Sequence, residues 1–468
     1  MKIHFLKLTQ ISILTIVSCY ALVVLKERSE TFYASQSSET NSLKNDSFLL
    51  LKLHLVSVEK YNFNSYVLRG FGFSRCNPRY LNKEVAHLFV VFNNTMLPGM
   101  IKTVGGKCPW AWSPKCQWNT YMIEFDLLPS MIQDLTNVVL LNTVTETSSV
   151  IPVTQPTNVK EEELMVCVPP LYWYNNFLQL FLFVEMWKQE GASKLIFYYH
   201  SVSTDVMNLL EFYQNEGTIH LVPYHSLPKN NLLDPNDSVY RYGHLLAIND
   251  CLQRRKSKLA TVVDVDEFLY INKTKYGTLL NFVNQKFENY TTLGSLLFNH
   301  KALRIDSNNA DTSFNFLRNS LVTKKSGPTK YIIKPSRAEA VNSHTVTHLY
   351  SPYKQSVLSG TEGYLLHSRS SWAYSGKYTN STSVDLASSE QIVNMRSRYK
   401  IITNYINYQK PFKFETNVLN KFLECLKTWR SGDGCKVPDR LCTKYIINLD
   451  RWVFSDDLKD SSNHFVIT

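Results

Sequence analysis

Asp264-Val265-Asp266 is the only Asp-x-Asp in the chain. Ordinary Asp usage produces that pattern about once by chance in a chain of this length, so context decides its meaning. The residues before it, Leu259-Ala260-Thr261-Val262-Val263, read as a buried strand, and Glu267 adds a third carboxylate just after. Paired carboxylates at a strand end offer the hard oxygen ligands that Mn²⁺ or Mg²⁺ takes. A metal held there would neutralise a diphosphate and make a nucleotide a better leaving group. The bland alternative is a solvated acidic turn or a helix N-cap.

The elements that must position these carboxylates alternate between strands and helices. Leu164–Val168 is apolar and stops at Pro169-Pro170. Asn175 to Gln189 carries Phe177, Leu180, Phe181, Val184 and Trp187 at helical spacing and stops at Gly191. Leu195–Tyr199 reads as a strand, and a helix through Leu209, Leu210 and Tyr213 ends at Gly217. Thr218–Val222 is the next strand and Tyr240 to Arg254 the next helix, before the strand that ends at Asp264. Such alternation predicts an α/β fold with a mostly parallel, Rossmann-type sheet. Ligands of such sheets bind beyond the carboxyl ends of the strands, where Asp264, Asp266 and Glu267 fall.

Upstream the pattern changes to period two, as in Leu51–Val58, with short β-rich runs at His87–Phe92 and Asn137–Leu141. This predicts a small β-rich domain over residues 49–158, with Ile151–Pro156 as a linker into an α/β domain over 159–450 and a tail over 451–468. At the start, residues 1–7 read as a cytoplasmic tail and 8–25 as an uncharged signal-anchor helix. Eighteen helical residues span about 27 Å, close to a bilayer core. Residues 26–48, rich in Ser, Thr, Asn and charge, read as a stem. A cleaved signal peptide is the alternative to the anchor.

Sequons at Asn45, Asn93, Asn236, Asn272, Asn289 and Asn380 follow the apolar segment and are compatible with a luminal body. Of nine cysteines, all but Cys19 lie beyond that segment, and none forms a zinc-type Cys-x-x-Cys. Disulfides are expected, with Cys108–Cys116 and a pair within Cys425, Cys435 and Cys442 as local candidates. The net charge is +11, but Lys and Arg are dispersed and no nucleic-acid reader motif is present, so no nucleic-acid partner is expected.

Beyond these readings, the order and spacing of several motifs resemble glycosyltransferase family 92. The carriers are Val166-Cys167-Val168-Pro169-Pro170-Leu171, Gly191 to Tyr199, Leu210-Glu211-Phe212-Tyr213 with Gly217, Asn249-Asp250-Cys251-Leu252 and Val263 to Leu269. Lys330-Tyr331-Ile332-Ile333-Lys334-Pro335 followed by His344 completes the set. The resemblance implies a GT-A-like fold, a single-pass type II Golgi membrane protein with a luminal catalytic domain, and transfer of galactose from UDP-galactose to a glycan or glycoprotein acceptor such as an N-glycan. It also implies donor binding by Asp264, Asp266 and Lys334, and a Mn²⁺ (or Mg²⁺) site at Asp264, Asp266 and His344. His367-Ser368-Arg369 departs from the family's His-Tyr-Arg, which bears on acceptor choice.

Transfer also needs a base for the acceptor hydroxyl. Glu362, shortly before His367 and Arg369, is the candidate catalytic carboxylate; a surface-loop Glu after Gly360 is the plainer reading. Two other functions compete. A catalytically inactive glycan-binding relative would keep the fold without transfer. A sulfotransferase would need a phosphate-cradling loop after its first strand, and Pro169-Pro170 lacks one.

Overall fold

The computed structural model describes residues 42–82, 84–155, 161–306, 309–323, 326–368, 381–427, 435, 438–457 and 465–468. Within Leu43–Thr468, a single compact unit, the α/β region begins with β1 (Glu162–Leu171), α1 (Phe177–Gln189), β2 (Lys194–Tyr199), α2 (Thr204–Asn215) and β3 (Ile219–Pro223). It continues with α3 (His244–Arg254), β4 (Ser257–Val262), β5 (Glu267–Ile271), β6 (Leu293–Phe298) and β7 (Lys330–Ile333). A hairpin of β8 (Ala338–Val341) and β9 (Val346–Leu349) follows, then β10 (Lys354–Val357) and β11 (Gly363–His367).

The central sheet has seven strands in the order β3-β2-β1-β4-β7-β6-β10. The first four run parallel. β7 is antiparallel to both its neighbours. Alternation along β1 sets the two faces. Leu164, Val166 and Val168 pack with α1 and α2, while Met165 and Cys167 face α3. Local chemistry sets the helix limits: the side chains of Asn176 and Ser203 cap α1 and α2 by accepting from Gln179 N and Val206 N. Gly191 and Gly217 follow these helices at φ +96° and +76°, where a side chain would be strained. α3 starts later than the sequence predicts, because Arg241, Tyr242 and Gly243 all have positive φ and cannot continue a helix.

The β-rich region forms a second, nine-stranded sheet in which Leu49–Lys60 pairs antiparallel with Phe63–Arg75. Its Leu49, Leu51, Phe71 and Phe73 join the cluster on the α3 side of the central sheet. Ile151 to Thr154, expected as linker, instead completes the strand Thr147–Thr154, paired with Asn137–Asn142. The expected tail also contributes strands: Trp452–Phe454 pairs with Ser201–Ser203, and Val466–Ile467 with Leu49–Leu50.

Three further expectations need correction. The expected single-pass membrane protein is not supported: no helix among the described residues is long and apolar enough to cross a membrane, and the segment 8–25 lies outside them. Cys108 pairs with Cys76 and not with Cys116, which reaches Cys435. The other bridges are Cys167–Cys251 and Cys425–Cys442. Of the sequons, Asn45, Asn93, Asn272 and Asn289 are exposed and Asn380 lies outside the described residues. Asn236 is fully buried, its amide donating to Leu227 O and Asp234 Oδ1, so the folded chain cannot present it.

Candidate active site

β4 lies next to β1 and delivers Asp264-Val265-Asp266 at its carboxyl end. A tight turn follows, in which Asp264 N donates to Glu267 Oε2 at 2.8 Å and Glu267 N donates to Asp264 O at 3.0 Å. Glu267 opens β5, which runs antiparallel to β11 with Glu267 opposite His367. His367 therefore meets the acidic turn: Nε2 lies 3.2 Å from Asp266 Oδ2 and Nδ1 3.7 Å from Glu267 Oε1.

Antiparallel pairing also decides which lysine arrives. Ala260 of β4 is opposite Ile333 and Thr261 opposite Ile332, so the start of β7 falls beside the end of β4. Lys330, fully buried, places Nζ 3.1 Å from Asp264 Oδ2 and 2.9 Å from Glu267 Oε2. Lys334 sits at the opposite end of β7 and pairs with Glu59 of the β-rich sheet at 2.7 Å. Lys334 is thus not at the acidic turn, where Lys330 stands instead. Glu362 is likewise not brought to the site. It precedes β11, whose far end carries His367, roughly 16 Å of strand away, and it accepts from Lys286 Nζ at 2.6 Å.

Among the described residues these three carboxylates meet Lys330 and His367, and Arg241 acts on Asp264 from further off. Burial works to raise the Asp264 carboxyl, but Lys330 holds it well below the usual range. Burial pushes Glu267 up; Lys330 opposes this, while Asp264 and Asp266 add to the rise. Burial would lower Lys330, but its two carboxylate partners hold it above the ordinary lysine value. Burial also works to lower His367, but its bond to Asp266 together with the charges of Asp266, Glu267 and Asp264 raises it. Perturbation in both directions within one cluster is a common mark of function.

His344 occupies the tip of the β8–β9 hairpin, where Asn342 Oδ1 accepts from the backbone N–H groups of His344 and Thr345. Its Nδ1 lies 3.2 Å from the carbonyl of Thr329, the neighbour of Lys330. A carbonyl can only accept, so Nδ1 carries the proton and Nε2 keeps the lone pair, the form that ligates metals. Burial, with the charge of Lys330, keeps the ring neutral down to about 4.

Asp264 and Asp266 supply the hard oxygens a divalent cation takes. Among the described residues, however, no group of three or more His, Cys, Asp or Glu side chains is placed to hold an ion. The expected set of Asp264, Asp266 and His344 is therefore not assembled. Asp264 and Asp266 remain as two carboxylates of the kind such a cation takes, short of a complete protein shell.

Lys330 and His367 lie within the motifs above without an assigned role, and Glu267 enters there only as a third carboxylate. The available signal was a lysine opening an apolar strand, Tyr331-Ile332-Ile333, where a charge is costly unless paired.

A sequence model described as glycosyltransferase family 92 matches residues 162–450. A search of curated proteins found no match. Among solved structures, S. aureus TarS 1–349 in complex with UDP-GlcNAc is 13% identical, covering 60% of this chain and 91% of that one, with a TM-score of 0.26. The mannosyltransferase PcManGT from Pyrobaculum calidifontis, in complex with GDP-Man and Mn²⁺, is 11% identical, covering 62% and 89%, with a TM-score of 0.26.

Proposed function

The chain belongs to glycosyltransferase family 92, and on that premise we propose that it moves a hexose, galactose from UDP-galactose, onto a glycan acceptor such as an N-glycan. The observation that carries this reading is the acidic turn at the end of β4, with Asp264 and Glu267 held by Lys330 and Asp266 by His367.

Departure of a nucleoside diphosphate concentrates negative charge, and preorganised positive charge at that position lowers the barrier. Mn²⁺ or Mg²⁺, held by Asp264 and Asp266, would supply that charge when bound. Lys330 fixes the direction of the Asp264 carboxylate, and His367 does the same for Asp266. His344, with Nε2 free of a proton, can accept a hydrogen bond from the donor.

Asp266→Asn tests the reading, since it keeps the size and removes the charge. Transfer from UDP-galactose should fall roughly a thousandfold, with the melting temperature of the free protein unchanged. The extra thermal stabilisation that UDP and Mn²⁺ together give the wild type should vanish. Near-normal transfer by the variant, or full wild-type activity in EDTA, would reject the metal role.

A further inference from the structure

Among the described residues, Trp112 is the one tryptophan that stands exposed, with 68% of its surface accessible. It belongs to the β-rich region, on the loop between the strands Met100–Thr103 and Trp118–Asp126. An indole left in water forgoes a large burial gain, but a single exposed aromatic needs a second observation before it points to a ligand.

Its surroundings supply one. The Trp112 ring lies 6.4 Å from the His344 ring, at the tip of the hairpin that borders the acidic turn. Behind it, Trp110 stacks at 6.5 Å and 29°. Trp110 is itself wedged edge-on against Tyr240 at 5.1 Å and lies over Gly105, where a Cβ would come within 2.4 Å of its ring. The loop is tethered on both sides of Trp112, through Cys108 to Cys76 and through Cys116 to Cys435. Trp110 N also donates to Asn119 Oδ1 at 3.0 Å. An exposed flat apolar face is thus held firmly beside the proposed donor site.

We propose that Trp112 is the stacking platform for the acceptor sugar. A pyranose has one face of C–H groups and a rim of hydroxyls. An indole covers the former and leaves the latter to water or to neighbouring polar groups, so it holds the ring without fixing every hydroxyl. The β-rich sheet then contributes part of the acceptor site, and the α/β region holds the donor. The inference rests on the glycosyltransferase reading above, and its test separates the two.

In the full-length protein, UDP-galactose hydrolysis without acceptor and galactose transfer to a biantennary N-glycan are measured for the wild type, Trp112→Ala and Trp112→Phe. Trp112→Ala should raise the acceptor KM about tenfold or more, leaving hydrolysis and the UDP-galactose KM within about twofold. Trp112→Phe, which keeps a flat ring, should recover most of the loss. An unchanged acceptor KM, or hydrolysis falling in parallel with transfer, overturns the platform. If the wild type neither hydrolyses nor transfers, the transferase reading fails by itself. Binding to immobilised N-glycans then decides the platform: it stands if Trp112→Ala alone loses binding, and falls if the two proteins bind equally or neither binds.

Discussion

Arg69, fully buried, meets Glu124 at 2.9 Å, with Lys60 2.8 Å from the other carboxylate oxygen, Tyr350 Oη bonded to both Arg69 and Glu124, and Ala338 O accepting from Arg69 at 3.1 Å. Lys330, equally buried, meets Asp264 and Glu267 beside a third carboxylate, that of Asp266. The first network is closed. Burial would raise Glu124, but Arg69 and Lys60 hold it down at about 2. In the second, burial and neighbouring carboxylates leave Glu267 raised. The closed network grips Ala338 and Tyr350, the two feet of the hairpin that carries His344, and so belongs to positioning. The open one keeps a carboxyl that burial and its neighbours push up and, on the proposed function, is where the donor would meet the chain. Burial of ions alone does not distinguish a strut from a site; how completely each charge is paired does.

The largest effect should come from the open network. Lys330→Met leaves two carboxylates without their cation, at a cost of about 3–5 kcal/mol in stability. Adding Asp264→Asn and Glu267→Gln should restore much of the melting temperature but no transfer. Recovery of transfer in that triple variant would show that the cluster is only a strut.

The closed network should answer to pH. The folded pKa of Glu124 lies below its unfolded value of 4.5, at about 2. Its contribution is therefore present in full above pH 4.5 and disappears as pH falls towards 2. Glu124→Gln should cost about 3 kcal/mol at neutral pH, where it strands Arg69. The gap from wild type should close between pH 4.5 and 2 in denaturant titrations. A gap independent of pH would refute the closed-network account.

The smallest effect belongs to Lys334, which is about a third exposed in its pair with Glu59. Lys334→Gln should cost at most about 1 kcal/mol and leave the UDP-galactose KM within about twofold. A tenfold rise in that KM would return Lys334 to the donor site.

Much of the α/β region was legible because its signals are local. The apolar run before Asp264, the helical spacing from Phe177 to Trp187 and the stops at Gly191 and Gly217 all appear where the sequence places them. Two candidate residues failed for one shared reason. The resemblance implies Lys334, and nearness to His367 and Arg369 suggests Glu362, but β7 is antiparallel to β4 and β11 to β5. Strand direction decides which end of a motif reaches the site, and local periodicity does not encode it. Of the cysteine expectations, the pair within Cys425, Cys435 and Cys442 formed as Cys425–Cys442, while Cys108 and Cys116, eight positions apart, each bond elsewhere in the fold. The late start of α3 depends on three consecutive positive φ values, two of them at residues other than glycine, which composition does not announce.

The bridge from Cys116 to Cys435 spans 319 residues. During synthesis at roughly 5–20 residues per second, Cys116 leaves the ribosome roughly 15–60 s before its partner exists. Cys167 and Cys251 emerge within that interval, each a competing thiol. The loop that presents Trp112 therefore gains its second tether only after nearly the whole chain has been made. Until then the exposed indole hangs from a single covalent anchor, and any early bond from Cys116 must be exchanged before the loop can take its final shape.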